Sequence, residues 1–93
     1  MTDKNDLETI PGVGKDIKWH LLNIGIKTVE DLIGKNPEEL YLNDIAAAGR
    51  PTDKCLLYVF RLAVYYAENE TRDPDKLKWW HWKDKKYVSH FRK

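Results

Sequence analysis

Ile10-Pro11-Gly12-Val13-Gly14-Lys15 is the stretch on which the fold turns. Two glycines flanking one apolar residue free the backbone to take positive φ and reverse sharply, while Val13 points back between the flanking segments as a plug. Asn5 with Glu8 reads as a capping box for a short helical segment that ends at Ile10, before Pro11. The next helix is predicted from about Gly14 to Ile24, with Gly25 in the left-handed stop conformation and Ile26 folding back on the last turn. Its free N–H groups and positive dipole end would face outward at the tip, a place suited to a phosphate or another anion. A tight turn that only closes the core is the other reading of the same residues.

Helix punctuation recurs along the rest of the chain, and no segment alternates apolar and polar residues as a strand would. Thr28 with Asp31 caps a short helix that ends by Gly34. Asn36, Pro37, Glu38 and Glu39 combine a capping side chain, proline at the first helical position and carboxylates beside the positive dipole end, and this helix should stop before Gly49. Pro51 and Thr52 introduce the longest helix, about Asp53 to Glu68. Lys54, Tyr58, Arg61, Tyr65 and Glu68 share one stripe of it, and apolar residues cover the remainder, so it belongs at the centre of the core or is shared with a second subunit. Asp73 and Pro74 repeat the cap-plus-proline device before a last turn or two through Lys76, Leu77 and Lys78, and the end from Val88 to Lys93 has no periodic pattern.

Length and composition confine these elements to one small domain. For 93 residues and 11.0 kDa, folding buries about two-thirds of the surface of the unfolded chain. A chain 42% hydrophobic and 33% charged has the apolar material for a core and too much of it for a disordered polyelectrolyte. The net charge of +1 hides a division: residues 1–71 carry 8 Lys+Arg against 12 Asp+Glu and residues 72–93 carry 8 against 3, leaving −4 and +5. An acidic body with a basic tail points to a polyanionic partner or to a solvated tail that maintains solubility. Cys55 is the single cysteine, so no intramolecular disulfide forms, and with no apolar leader after a basic start a cytoplasmic location is expected. The longest apolar stretch, Cys55 to Ala67, is interrupted by Arg61 and is shorter than the roughly 18 residues of a membrane span, so no membrane partner is expected.

Leu7, Ile10, Pro11, Gly12, Val13, Gly14, Leu21, Leu22, Gly25, Ile26, Thr28, Asp31 and Leu32 resemble a helix-hairpin-helix motif and its following turn, as found in DNA repair and recombination proteins. From about Leu7 to Asp84 the chain also resembles a small bacterial pathogenicity-locus, or mitomycin-resistance-like, family. That closer likeness is carried by the hairpin, Asn36 to Leu40, Cys55 with Leu57 to Arg61, and the run Leu77, Lys78, Trp79, Trp80, Trp82, Lys83, Asp84. The resemblance implies two helix-hairpin-helix units about a pseudo-twofold, the second degenerate, with Ala48, Gly49, Arg50 and Pro51 as its hairpin. It further implies that Gly12, Val13, Gly14 and Lys15 hold DNA phosphates without reading bases, with Lys18 and Arg50 as further candidates and the carbonyls of Glu8, Ile10 and Val13 as ligands of a monovalent cation. Two departures from the binding pattern are Asp16, where a second Lys or polar donor is usual, and Lys18, where Ala usually packs helix on helix.

The tail mixes Trp79, Trp80, Trp82, Tyr87 and Phe91 with Lys78, Lys83, Lys85, Lys86, Arg92 and Lys93. Closure of the core over the long helix is the expectation, with single-strand base stacking and membrane-interface binding as alternatives. Adjacent Trp79 and Trp80 cannot both face inward on one helix, so at least one tryptophan should stay partly exposed. His20, His81 and His90 form no metal pattern with Cys55, and His20 is expected on the surface. Cys55 falls in the first turn of the long helix, where the dipole lowers a thiol pKa, and is either a reactive thiol or an inert buried one. Tyr41, Tyr58, Tyr65 and Tyr66 read as core-edge residues. With no nucleophile–base–orienter set visible, neither catalysis nor a cofactor is expected.

The sequence therefore predicts an all-α fold of five or six short helices, residues 1–72 forming the helix-hairpin-helix domain and residues 73–93 a basic, Trp-rich segment packed on it. The function expected is a non-catalytic, sequence-independent DNA-binding or DNA-associated adaptor. A protein-interaction module or homodimer with a purely structural hairpin is the alternative.

Overall fold

The computed structural model describes residues 6–87; Asn5, and the tail from Val88 through His90, Phe91, Arg92 and Lys93, lie outside the described residues. Three α-helices, α1 (Lys15–Asn23), α2 (Pro37–Ala48) and α3 (Lys54–Glu68), are joined by short 3₁₀ turns at Leu7–Thr9, Glu30–Leu32, Pro74–Leu77 and Trp79–Lys83. The fold is all-α, with no strand among the described residues. Five or six helices were too many. Where only three or four residues separate one stop signal from the next, a segment closes i→i+3 bonds and ends before an α-helical ladder is established.

The first turn is capped by Asp6, not by the expected Asn5: Asp6 accepts from the Glu8 amide at 2.9 Å. The later capping residues act as their spacing implies. Asn36 accepts from Glu38 N at 2.9 Å and Asp53 from Cys55 N at 3.0 Å, opening α2 and α3. Thr28 and Asp31 bond each other reciprocally, the Asp31 carboxylate taking the Thr28 and Lys27 amides and the Thr28 hydroxyl the Asp31 amide. After α1, Gly25 takes φ +88° and the Ile26 amide returns to the Leu21 carbonyl at 2.9 Å, which drops Ile26 into the core at 3% exposure.

α3 is the centre of the molecule. Leu56, Val59, Phe60, Leu62, Ala63, Val64 and Tyr65 are buried, and Leu7, Ile10, Val13, Leu21, Leu32 and Leu40 from the preceding segments belong to the same cluster. Its more polar stripe is covered as well, by residues 74–87: Trp79 stacks on Tyr58 with ring centroids 6.5 Å apart, and Trp82 and Tyr87 lie within 6 Å of Tyr65. Trp82 is buried, Trp79 half-buried and Trp80 57% exposed. The indole N–H of Trp82 reaches the Lys76 carbonyl at 2.8 Å, which satisfies its one polar atom. No helix of the described residues is long and apolar enough to cross a membrane.

Arg61 lies on that covered stripe at 6% exposure. It donates from Nη1 to the Trp82 carbonyl at 2.7 Å, and its Nη2 is 3.3 Å from Glu38 Oε1 in the first turn of α2. A buried guanidinium is tolerated because both ends of its fork are answered. Replacing Arg61 by Ala is expected to lower the unfolding free energy by about 2–4 kcal/mol, since it removes charge-assisted bonds and leaves a carbonyl and a cavity behind. Urea unfolding followed by circular dichroism measures this, with Glu70→Ala, at an exposed position, as the control of small effect.

Tyr87 closes the far end. Its hydroxyl donates to Glu68 Oε1 at 2.6 Å, and burial together with the Glu68 carboxylate pushes the phenol well above its ordinary value of 10. A phenol whose pKa is raised by folding contributes its full stability below the unfolded value and loses it as pH rises past that value. Stability of the parent should therefore decline above about pH 10, and Tyr87→Phe should remove part of that decline in thermal melts across the alkaline range.

Candidate functional site

The turn at residues 10–14 is built from the core outward. Ile10 and Val13 are buried at 1% and 5% exposure, and Val13 N donates to the Ile10 carbonyl at 3.0 Å, so the two apolar side chains pin the loop from below. Between them Gly12 takes φ +87° on the exposed side, with open space where a Cβ would stand. Glycine is required there by its backbone angle, not by crowding. The Ile10 carbonyl, one of the three named for a cation, already accepts this amide; Glu8 and Val13 supply the other two.

Gly14 is the N-cap of α1 and has no side chain to cap it. The first bond of the helical ladder runs from Lys18 N to Gly14 O at 2.9 Å, so the amides of Lys15, Asp16 and Ile17 have no backbone acceptor. By contrast, α2 and α3 each have one early amide taken by a side-chain cap. Gly12, Gly14 and Lys15 are exposed together around these amides. Three N–H donors, the dipole end and one ammonium group meet at the tip, together with the exposed Asp16 carboxylate.

Lys18 does not join them. Its Nζ sits 3.2 Å from Asp6 Oδ1, and the carboxylate is held below its usual range by the Glu8 amide and by Lys18. The residue ties α1 to the Leu7–Thr9 turn. Arg50 is exposed on the connection between α2 and α3 and lines an open groove together with Asp16, Ile17 and His20 of α1 and Thr52 and Asp53. The connection leaves Gly49 at φ +70° as the stop of α2, and Pro51 follows.

His20 is half-buried, contrary to its expected surface position. Its Nδ1 donates to Asp44 Oδ1 at 2.7 Å, and Asp44, in α2, is 1% exposed. The other oxygen, Asp44 Oδ2, is buried with no hydrogen-bond partner among the described residues, as is the hydroxyl of Thr52. Residues 37, 40 and 44 share the buried face of α2, so the signal available in the sequence was a carboxylate at an apolar position of a helical repeat. Trp19 was also missed. It is 59% exposed one turn beyond Lys15, off the Ile17–Leu21–Ile24 face, and its indole meets the His20 ring edge-on at 5.3 Å and 83°.

Cys55 is exposed, and hydrogen bonding with Asp53 raises its thiol pKa, where a position in the first helical turn alone would lower it. No group of three or more His, Cys, Asp or Glu side chains able to hold a metal occurs among the described residues.

No solved structure matches this chain. Mitomycin resistance protein McrB of Streptomyces lavendulae is 36% identical to it over 81 residues, which are 87% of this chain and 73% of that protein. The family described as Cdd1, pathogenicity locus, matches residues 2–87, and with nearly the whole chain covered, the protein belongs to that family.

Proposed function

We propose that the protein is a non-catalytic, sequence-independent DNA-binding adaptor that holds a backbone phosphate at the Ile10–Lys15 turn. The observation that carries this is the N-terminus of α1, where the amides of Lys15, Asp16 and Ile17 have no backbone acceptor and no side-chain cap at Gly14, behind a turn whose Gly12 and Gly14 are exposed. Such an end binds anions by its donors and its dipole together. In this reading the Leu7–Asn23 segment is a helix-hairpin-helix unit shortened to a 3₁₀ turn on its first side. The Ala48–Pro51 connection is then its degenerate counterpart, with Arg50 as an auxiliary cation. Phosphate contacts position a duplex and carry no sequence information, which fits a site built from main-chain groups.

The basic tail adds long-range attraction. Lys78, Lys83, Lys85 and Lys86 are all exposed, with Asp84 among them. Because the body is acidic, affinity should be modest and strongly dependent on salt. A second reading, a protein-interaction module with a structural turn, is favoured by Trp80 and Leu42, exposed at 57% and 63%.

Fluorescence anisotropy of a labelled duplex separates the two readings. Raising salt from about 50 to about 200 mM should weaken binding at least several-fold, and Lys15→Glu should weaken it further at either concentration. Gly12→Ala, which forces a Cβ onto φ +87°, should cost about 1 kcal/mol of stability and also lower affinity. Binding that ignores salt and both substitutions, or no binding to any DNA, would leave the interaction module as the function.

A further inference from the structure

A large exposed indole lies one helical turn from the Ile10–Lys15 turn. Trp19 is four residues beyond Lys15 on α1, so the two side chains are neighbours on one helix face, about 6 Å apart along the axis. Both are exposed. The fold does not use this indole for its core, which Ile17, Leu21 and Ile24 serve from another face. It is nevertheless braced. The ring stands at 83° to His20, whose Nδ1 is tied at 2.7 Å to the buried Asp44 of α2, so the platform is fastened through α1 to the next helix.

We propose that the strand bound at the Ile10–Lys15 turn is single-stranded and that one of its bases stacks on Trp19. This rests on the phosphate site proposed above and names its substrate class. Within a duplex the base faces are occupied by their neighbours, so an indole beside the phosphate track meets only the edge of the stack; an unpaired base offers its π-face. Base–aromatic stacking tolerates any base, which matches a site whose other donors are main-chain amides and a lysine. A protein partner is the weaker fit. Trp19 and neighbouring Leu22, at 59% and 43% exposure, are two side chains against roughly 800 Å² on each side of a standard interface, and Lys15, Asp16 and Asn23 are their neighbours along α1. Asp16 and Asp53 are adverse charges in the groove beside α1, which Arg50 also lines.

The test compares labelled single-stranded and duplex oligonucleotides of equal length in anisotropy titrations at about 50 mM salt. The parent should favour the single strand about tenfold, and Trp19→Ala should abolish that preference while duplex affinity changes less than about twofold. Trp19→Phe, which keeps a ring, should retain most of the preference, and Lys15→Glu should weaken both substrates. Circular dichroism of Trp19→Ala should match the parent, since the side chain is outside the core. Equal binding of single strand and duplex by the parent, or unchanged single-strand binding by Trp19→Ala, overturns the stacking proposal while leaving the phosphate site standing. Failure of the parent to bind either DNA overturns both. A fall in the parent's sedimentation coefficient on Trp19→Ala marks the indole as a self-association surface and likewise overturns the proposal.

Discussion

A guanidinium in the middle of the most buried helix constrains everything packed around it. Arg61 is nearly inaccessible, so its charge must be answered from inside the molecule, and the two groups that answer it come from opposite directions in the chain: Glu38 in the first turn of α2 and the carbonyl of Trp82 near the end. Apolar packing alone would let either element slide over α3, because hydrophobic burial has no direction. The fork does not allow that. Fixing Glu38 fixes where α2 begins, behind its Asn36 cap and Pro37, and fixing the Trp82 carbonyl sets Trp79 against Tyr58 and brings Trp82 and Tyr87 to Tyr65. The stripe that reads in sequence as the polar side of the helix is therefore where the tail is fastened.

The boundaries were legible because they depend on residues within about one helical turn of each other. Asn36 with Pro37, Thr28 with Asp31, Asp53 and the left-handed Gly25 each act on their own turn, and each starts or stops an element within a residue or two of its expected place. What was not legible depends on distance in sequence. His20 and Asp44 are 24 residues apart, and Arg61 and Trp82 are 21 apart, so neither pair leaves a periodic trace. Lys18 was assigned to the anion site from its position in a motif, yet the nearest carboxylate in space, that of Asp6, lies on the other side of the turn. The sequence also gave no measure of element length: three residues between capping and stopping signals look like a short helix and fold as a 3₁₀ turn.

The candidate site was partly visible for the same reason. A Gly-Val-Gly turn ahead of a helix is local, and its consequence, amides with no cap, follows directly from the absence of a side chain at Gly14. The aromatic half was hidden, since tryptophan at position 19 is equally compatible with core and surface until the packing of α1 on α2 is known. Once Asp44 takes the buried position and draws His20 toward α2, Trp19 is turned out beside it. An apolar residue in place of Asp44 would give a drier interface and no brace for that ring.

The net charge of +1 has little bearing on how this molecule meets an anion, because its field is not uniform on the scale that matters. Screening at physiological salt acts over about 8 Å, whereas the molecule measures 36 × 33 × 27 Å. A ligand near the surface therefore responds to the nearest few charges and not to the sum. At the turn these include Lys15 and Asp16, of opposite sign, so the uncapped amides and the dipole add to a mixed local field. Along residues 78–86 four lysines and one aspartate make a separate positive field. If the turn holds a phosphate as proposed, attraction and placement reside in different parts of the surface: lengthening the tail's run of lysines would speed encounter without sharpening position, which the geometry of the Gly12–Gly14 turn would set.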